Sequence, residues 1–331
     1  MKKIINSPHD VLEQMVQGLV LAHADKLERI PNTHVVHRLA KTPDIVGLVS
    51  GGGSGHEPAH AGFVGDGMLS CAVCGEVFTS PTPDQVLEAI RAANNGRGVL
   101  LIVKNYSGDV MNFEMAEDMA RMEGIEVDHI VVADDISIED AEKTAGARGI
   151  AGTIYVHKLM GYYARQGKSV SELKAIAEKV LPNIKTIGLA LTAATVPEVG
   201  KPGFDISDDE FEYGIGIHGE PGYARMKMQP SHAMAEELVS KLKAKFGWKS
   251  GDSYAVLVNG MGSTPQMELL IFWNDVHSIL EQEGIDIKFV RVEEWMTSID
   301  MAGLSLTLFK VEDPEWVEAL KAKVSTIAWN N

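Results

Sequence analysis

Between residues 45 and 133, short runs of aliphatic and β-branched residues take turns with stretches of helical periodicity. That alternation restricts the chain more than any other feature, because it is the pattern of helices layered on a sheet. Residues 45–49, 68–73, 98–104 and 127–133 read as strands, and 84–93 and 109–123 as helices among them. Ser7 and Pro8 suit the cap and first position of an opening helix, with Val11, Met15 and Leu19 at four-residue spacing. Helical stretches at 153–165 and 170–181 follow before Pro182-Asn183 breaks the pattern. The second half repeats the grammar, with strands at 186–191, 212–217, 254–258, 287–292 and 304–309 and helices at 233–245, 265–282 and 314–323. The expected fold is two α/β domains, 1–183 and 184–331, each a central mixed or parallel sheet flanked by helices.

Composition excludes several classes. At 331 residues the chain buries a sizeable core without disulfides, and its two cysteines make no disulfide framework. The 30 basic against 46 acidic side chains give a formal charge of -16, which repels phosphate backbones and anionic lipid. No nucleic-acid or membrane partner is expected. No apolar run approaches the ~20 residues of a spanning helix. The opening Met1-Lys2-Lys3-Ile4-Ile5-Asn6 lacks the apolar core of a signal peptide. A cytoplasmic location is expected.

Four short motifs fail on context. His56-Glu57-Pro58-Ala59-His60 matches H-E-x-x-H, but zinc chemistry needs both histidines one turn apart on a helix. Pro58 lies inside that turn, and four glycines and a serine precede it. No metal is expected. Cys71-Ala72-Val73-Cys74 lies in a strand-like run, where cysteine acts as a small buried hydrophobe. Gly214-Ile215-Gly216-Ile217-His218-Gly219 satisfies G-x-G-x-x-G, yet Pro221-Gly222 follows where a dinucleotide site needs a helix. Gly161 and Gly167-Lys168-Ser169 are one residue too widely spaced for a phosphate loop; Gly167 reads as a helix end and Ser169 as the next cap.

Three glycine-rich strand exits are more informative: residues 51–58, 104–109 and 217–222. In α/β sheets ligands bind at the carboxyl ends of strands, and glycine lets backbone amides approach them. His56, Lys104, Asp109 and His218 are the ionisable residues placed to meet one small polar molecule.

At these residues the sequence resembles the substrate-binding subunit K of the phosphoenolpyruvate-dependent dihydroxyacetone kinase family. The matching strings are Leu48-Val49-Ser50-GGGSGHEP, Gly75-Glu76-Val77-Phe78-Thr79-Ser80-Pro81-Thr82-Pro83-Asp84, Leu101-Ile102-Val103-KNYSGDVMNFE and Gly214-Ile215-Gly216-Ile217-HGEPG. The resemblance extends to the stretch 300–305. It implies that His218 adds through a ring nitrogen to the ketone of dihydroxyacetone, giving a hemiaminal. A neutral imidazole is a nucleophile, and only a carbonyl can accept it. It further implies that His56 takes the proton of the hydroxyl that attacks phosphorus, that Asp109 assists, and that Gly53 and Lys104 hold substrate oxygens, with Ser80 helping. A positioned base is what an alcohol needs to attack.

The resemblance also implies no nucleotide on this chain. ADP or ATP would be carried by a partner subunit L, recharged through a phosphohistidine subunit M, and this chain would form homodimers. The rival from another class is a catalytically silent paralogue that senses dihydroxyacetone and acts as coregulator of a transcription factor. The presence of both His56 and Asp109 favours catalysis, since binding alone requires no general base.

Overall fold

The computed structural model describes residues 2–40, 42, 44–138 and 146–330. They divide into two compact units. The first holds Met1–Val132, Thr153–Leu181 and Ala319–Asn331, and the second holds Ala133–Gly152 and Pro182–Glu318. The expected single cut at 183/184 therefore lies close to the division at 181/182, while the short stretches 133–152 and 319–331 belong to the opposite units. Neither stretch changes the hydrophobic period that marks a boundary in sequence.

In the first unit, α1 (Val11–Ala22), α2 (Pro83–Ala93), α3 (Ser107–Met122), α4 (Thr153–Arg165) and α5 (Val170–Val180) surround a six-stranded sheet. Its strands are β1 (Leu27–Arg29), β2 (Val35–Arg38), β3 (Gly47–Ser54), β4 (Cys71–Val77), β5 (Val99–Lys104) and β6 (Val127–Val132), in the order β1-β2-β4-β3-β5-β6. From β4 to β6 all pairings are parallel; β1 and β2 add an antiparallel edge. Val49, Val73, Leu101 and Val103 share a core with Val86, Ile90, Phe113 and Ala116 of α2 and α3. Leu48, Leu100 and Ile102, of opposite parity, are buried as well, so the second face is covered too. Helix α4 is buried almost all round, the behaviour of a helix enclosed on every side.

In the second unit, β7 (Ile184–Ala190), β8 (Glu210–Tyr213), β9 (Ala224–Lys227), β10 (Ser253–Gly260), β11 (Asp286–Glu293) and β12 (Gly303–Lys310) form a sheet ordered β11-β10-β12-β7-β8-β9. Only β10 and β11, joined through α7 (Gln266–Gln282), run parallel. Leu238 and Leu242 of α6 (Ser231–Phe246) and Phe272 and Val276 of α7 pack on Ile187, Val256, Leu306 and Leu308. Helix α8 (Pro314–Lys321) follows β12.

Four differences from the sequence expectations stand out. Strand β3 continues through its glycines to Ser54 rather than ending at residue 49. A Cβ at Gly51 would collide with the Val73 carbonyl, and one at Gly53 would lie 2.5 Å from Thr79 N, so glycine here serves close strand approach, not a turn. The expected 68–73 strand runs instead from Cys71 to Val77. The expected 212–217 strand stops at Tyr213, because Gly214 enters the left-handed region at φ +77. Strands β1, β2 and β9 were not expected; at three or four residues each they are too short to display a period.

Candidate functional site

Parallel pairing of β3 with β5 puts their carboxyl ends side by side in the first unit. Lys104 ends β5 fully buried, its Nζ 3.4 Å from both Gly51 O and Asp109 Oδ2. Gly52 makes room for it, since a Cβ there would collide with Nζ. Asp109 lies in the first turn of α3, where the helix dipole favours a carboxylate. Its Oδ2 faces Lys104, while its Oδ1 is buried with no partner among the described residues. An unpaired buried acceptor is costly, and here it offers one open position for a hydroxyl donor. Ser80 Oγ comes close to the start of α3, within 2.8 Å of where a Gly108 Cβ would stand.

His56 follows β3, is buried, and stacks on Phe78 with ring centroids 5.1 Å apart. Phe78 itself takes a positive φ of 56°, a conformation a bulky residue adopts only when its surroundings impose it. Gly53, His56, Lys104 and Asp109 thus belong to neighbouring strand exits of one unit. His218 belongs to the second unit.

The H-E-x-x-H string lies in a bend and turn that lead into a short 3-10 stretch at Ala61–Phe63, not on an α-helix. His60 Nδ1 meets His157 Nε2 of α4 at 2.9 Å, and both rings are buried. Burial, and next to it the Lys104 charge, push His157 down to about 3 and His60 well below its ordinary value. Both rings are therefore neutral. Among the described residues the group whose ligand atoms lie close enough for a metal is Glu117, Asp128 and His129, and it shares no residue with that string. Glu117 already engages Arg121 and His129, and Asp128 engages Lys174. Cys71 and Cys74 sit buried in β4, where burial pushes the Cys74 thiol up to about 12 and Cys71 higher still. Gly167 ends α4 at φ +78, and Ser169 caps α5 in a reciprocal box with Glu172.

In the second unit, residues 214–219 form a turn after β8, with no helix opening behind G-x-G-x-x-G. Gly219 N donates to Gly216 O at 3.1 Å with Gly219 at φ +81. His218, part-buried, is gripped twice by Glu220: its amide donates to Oε2 at 2.9 Å and its Nδ1 lies 3.0 Å from Oε1. Burial raises the Glu220 carboxyl, but the hydrogen bond and charge of His218, with the charge of Arg148, outweigh it and hold the group at about 2. Glu220 is a carboxylate, so the bond requires Nδ1 to be the donor. In the neutral ring Nε2 then carries the lone pair. Glu220 and Phe78 were not singled out from sequence, although both lie inside strings that were; a position two residues from a histidine carries no signal until the turn folds it back.

The profile of the Dak1 domain matches residues 17–328. The chain belongs to the Dak1 family. Across 99% of both chains this Dak1 protein is 58% identical to the PTS-dependent dihydroxyacetone kinase, dihydroxyacetone-binding subunit DhaK of Lactococcus lactis. It is 44% identical to the DhaKLM operon coactivator DhaQ of the same organism, covering 99% of this chain and 100% of DhaQ. The crystal structure of the dihydroxyacetone kinase of C. freundii superposes with a TM-score of 0.92 at 35% identity, over all of this Dak1 chain and 60% of that one. The two mixed, helix-flanked six-stranded sheets are thus the Dak1 architecture. No helix among the described residues of this Dak1 chain is long and apolar enough to cross a membrane.

Proposed function

We propose that this Dak1 chain is the dihydroxyacetone-binding subunit of a PTS-dependent dihydroxyacetone kinase, holding the ketone as a hemiaminal on His218. The observation that carries the reading is the Glu220 grip, which leaves Nε2 of His218 as the ring's nucleophile. Nε2 bonds to the carbonyl carbon and the carbonyl π pair becomes a hydroxyl. The oxygen takes its proton from water, and the alkylated ring keeps the Nδ1 proton as an imidazolium paired with the Glu220 carboxylate. Glycerol offers no carbonyl and is passed over.

The hydroxyl chemistry falls to His56 and Asp109. Lys104 occupies Asp109 Oδ2 and leaves Oδ1 to accept from the substrate hydroxyl, while His56 takes its proton as the oxygen attacks phosphorus. Gly53 N, Lys104 and Ser80 hold the remaining oxygens. The phosphoryl donor is ATP on an ADP-binding partner subunit L, recharged through phosphohistidine subunit M, and this chain works as a cytoplasmic homodimer. The separate nucleotide subunit is supported by the setting of both glycine strings, neither of which has the strand–turn–helix geometry of a phosphate cradle.

A second reading has the DhaQ likeness in its favour: a dihydroxyacetone sensor that regulates transcription and transfers no phosphate. A reconstituted assay with subunits L and M, phosphoenolpyruvate and the general phosphotransferase proteins separates the two. Dihydroxyacetone phosphate should form at a rate dependent on subunit L. Its absence, with the hemiaminal intact, would favour the sensor.

A further inference from the structure

The His218 turn is held from a distant stretch of the sequence that none of the family-like strings includes. Arg148 lies in the stretch 133–152 of the second unit and is buried. Its guanidinium is fixed on three sides. Nε donates to Asp135 Oδ2 at 2.7 Å, and Nη2 donates to Ser137 Oγ at 2.7 Å and to Gly214 O at 3.0 Å. Nη1 stands 3.9 Å from Glu220 Oε2, the oxygen that accepts the His218 amide. Asp135 is in turn tied down by Ser137 N at 2.9 Å.

Gly216 supplies an independent sign that this contact is built. A Cβ on it would collide with Glu220 Oε2 and stand 2.5 Å from Arg148 Nη1. The middle glycine of G-x-G-x-x-G clears the way for an ion pair, where a dinucleotide site would use it to admit a pyrophosphate. A lysine could reach one of these partners; the planar fork of arginine reaches all of them at once.

We infer that Arg148 is a positioning residue for His218: it clamps the start of the turn at Gly214 and stands behind Glu220, so that this carboxylate keeps Nδ1 protonated and Nε2 available to the ketone. The inference rests on the proposed covalent role of His218 and extends it to a residue that touches neither substrate nor imidazole. Removing the fork frees Glu220 to turn away, and the ring then exchanges between its two neutral tautomers, one of which has no lone pair on Nε2.

The test is long-range ¹H–¹⁵N correlation of the His218 ring in the full chain, paired with ¹³C spectra of carbonyl-labelled dihydroxyacetone. Wild type should show the Nδ1–H form. Arg148→Met should show mixed tautomers and about tenfold less hemiaminal at matched concentration, and Arg148→Lys should recover part of both. Gly216→Ala keeps every side chain of the network but drives a methyl between Arg148 and Glu220; it should repeat Arg148→Met, and it decides the matter if that variant does not fold. A folded Arg148→Met or Gly216→Ala with wild-type tautomer and wild-type adduct overturns the inference. A wild-type chain whose tautomer depends on Arg148 yet forms no adduct would instead overturn the covalent reading and leave the positioning role standing.

Discussion

Asp109 presents its two oxygens differently: Oδ2 faces the Lys104 ammonium, and Oδ1 has no partner among the described residues. Asp109→Asn should keep the hemiaminal, because the covalent bond forms elsewhere, and lower phosphoryl transfer by about 10²–10⁴. His56→Asn should do the same, and transfer at the wild-type rate in either variant would remove them from the reaction. Asp109→Asn also strips a buried ammonium of its counter-charge, a loss worth about 3 kcal/mol that urea unfolding would read. The His60–His157 pair gives a pH signature of a different kind. A histidine held at about 3 in the fold and near 6.5 when unfolded binds its proton preferentially in the unfolded chain between those values. Stability should therefore fall as pH drops below about 6.5, each ring contributing a slope of about 1.4 kcal/mol per pH unit. His157→Phe should flatten the curve measured between pH 7 and 4; an unchanged slope would show that the pair does not set acid stability.

The elements follow rules that differ in how far they can be read in advance. Strands β5 and β6 and the helices α2, α4 and α7 were legible within a residue or two, because each buries a long face and so displays its period. The Ser169–Glu172 box was legible in part, with Ser169 named as the cap. Ser169→Ala should cost about 1 kcal/mol in thermal or urea unfolding, and no change would mean that α5 is held by packing alone. Glycines were the least legible. Those of β3 look like a loop and are strand, since their reason is the neighbour they touch, which one sequence does not reveal. The same holds for Gly161 inside α4, where a Cβ would run into the Gly67 carbonyl. Gly161→Ala should lower stability by about 1–3 kcal/mol despite alanine's better helix propensity.

At the scale of the molecule, the chain passes from one unit to the other at 132/133, 152/153, 181/182 and 318/319, and only the third passage had a sequence sign, Pro182-Asn183. The stretch 133–152 brings Arg148 to the His218 turn, a contribution invisible to motif matching because it depends on topology. In the proposed reaction His218 takes the ketone, His56 and Asp109 act on the hydroxyl, and the phosphoryl group arrives on another protein. Donor phosphorus must come close to the attacking oxygen, so the partner should dock at the exposed strand-exit rim that carries Thr82 and Ser107. Thr82→Trp or Ser107→Trp should then impair transfer more than adduct formation, and equal loss of both would place docking elsewhere. All of this depends on one bond. The measurement that reaches it directly is ¹³C NMR of the isolated chain with carbonyl-labelled dihydroxyacetone, wild type against His218→Ala. The expected result is a hemiaminal carbon resonance in wild type and only ketone and hydrate carbons in His218→Ala; an adduct of equal intensity in both would contradict the account.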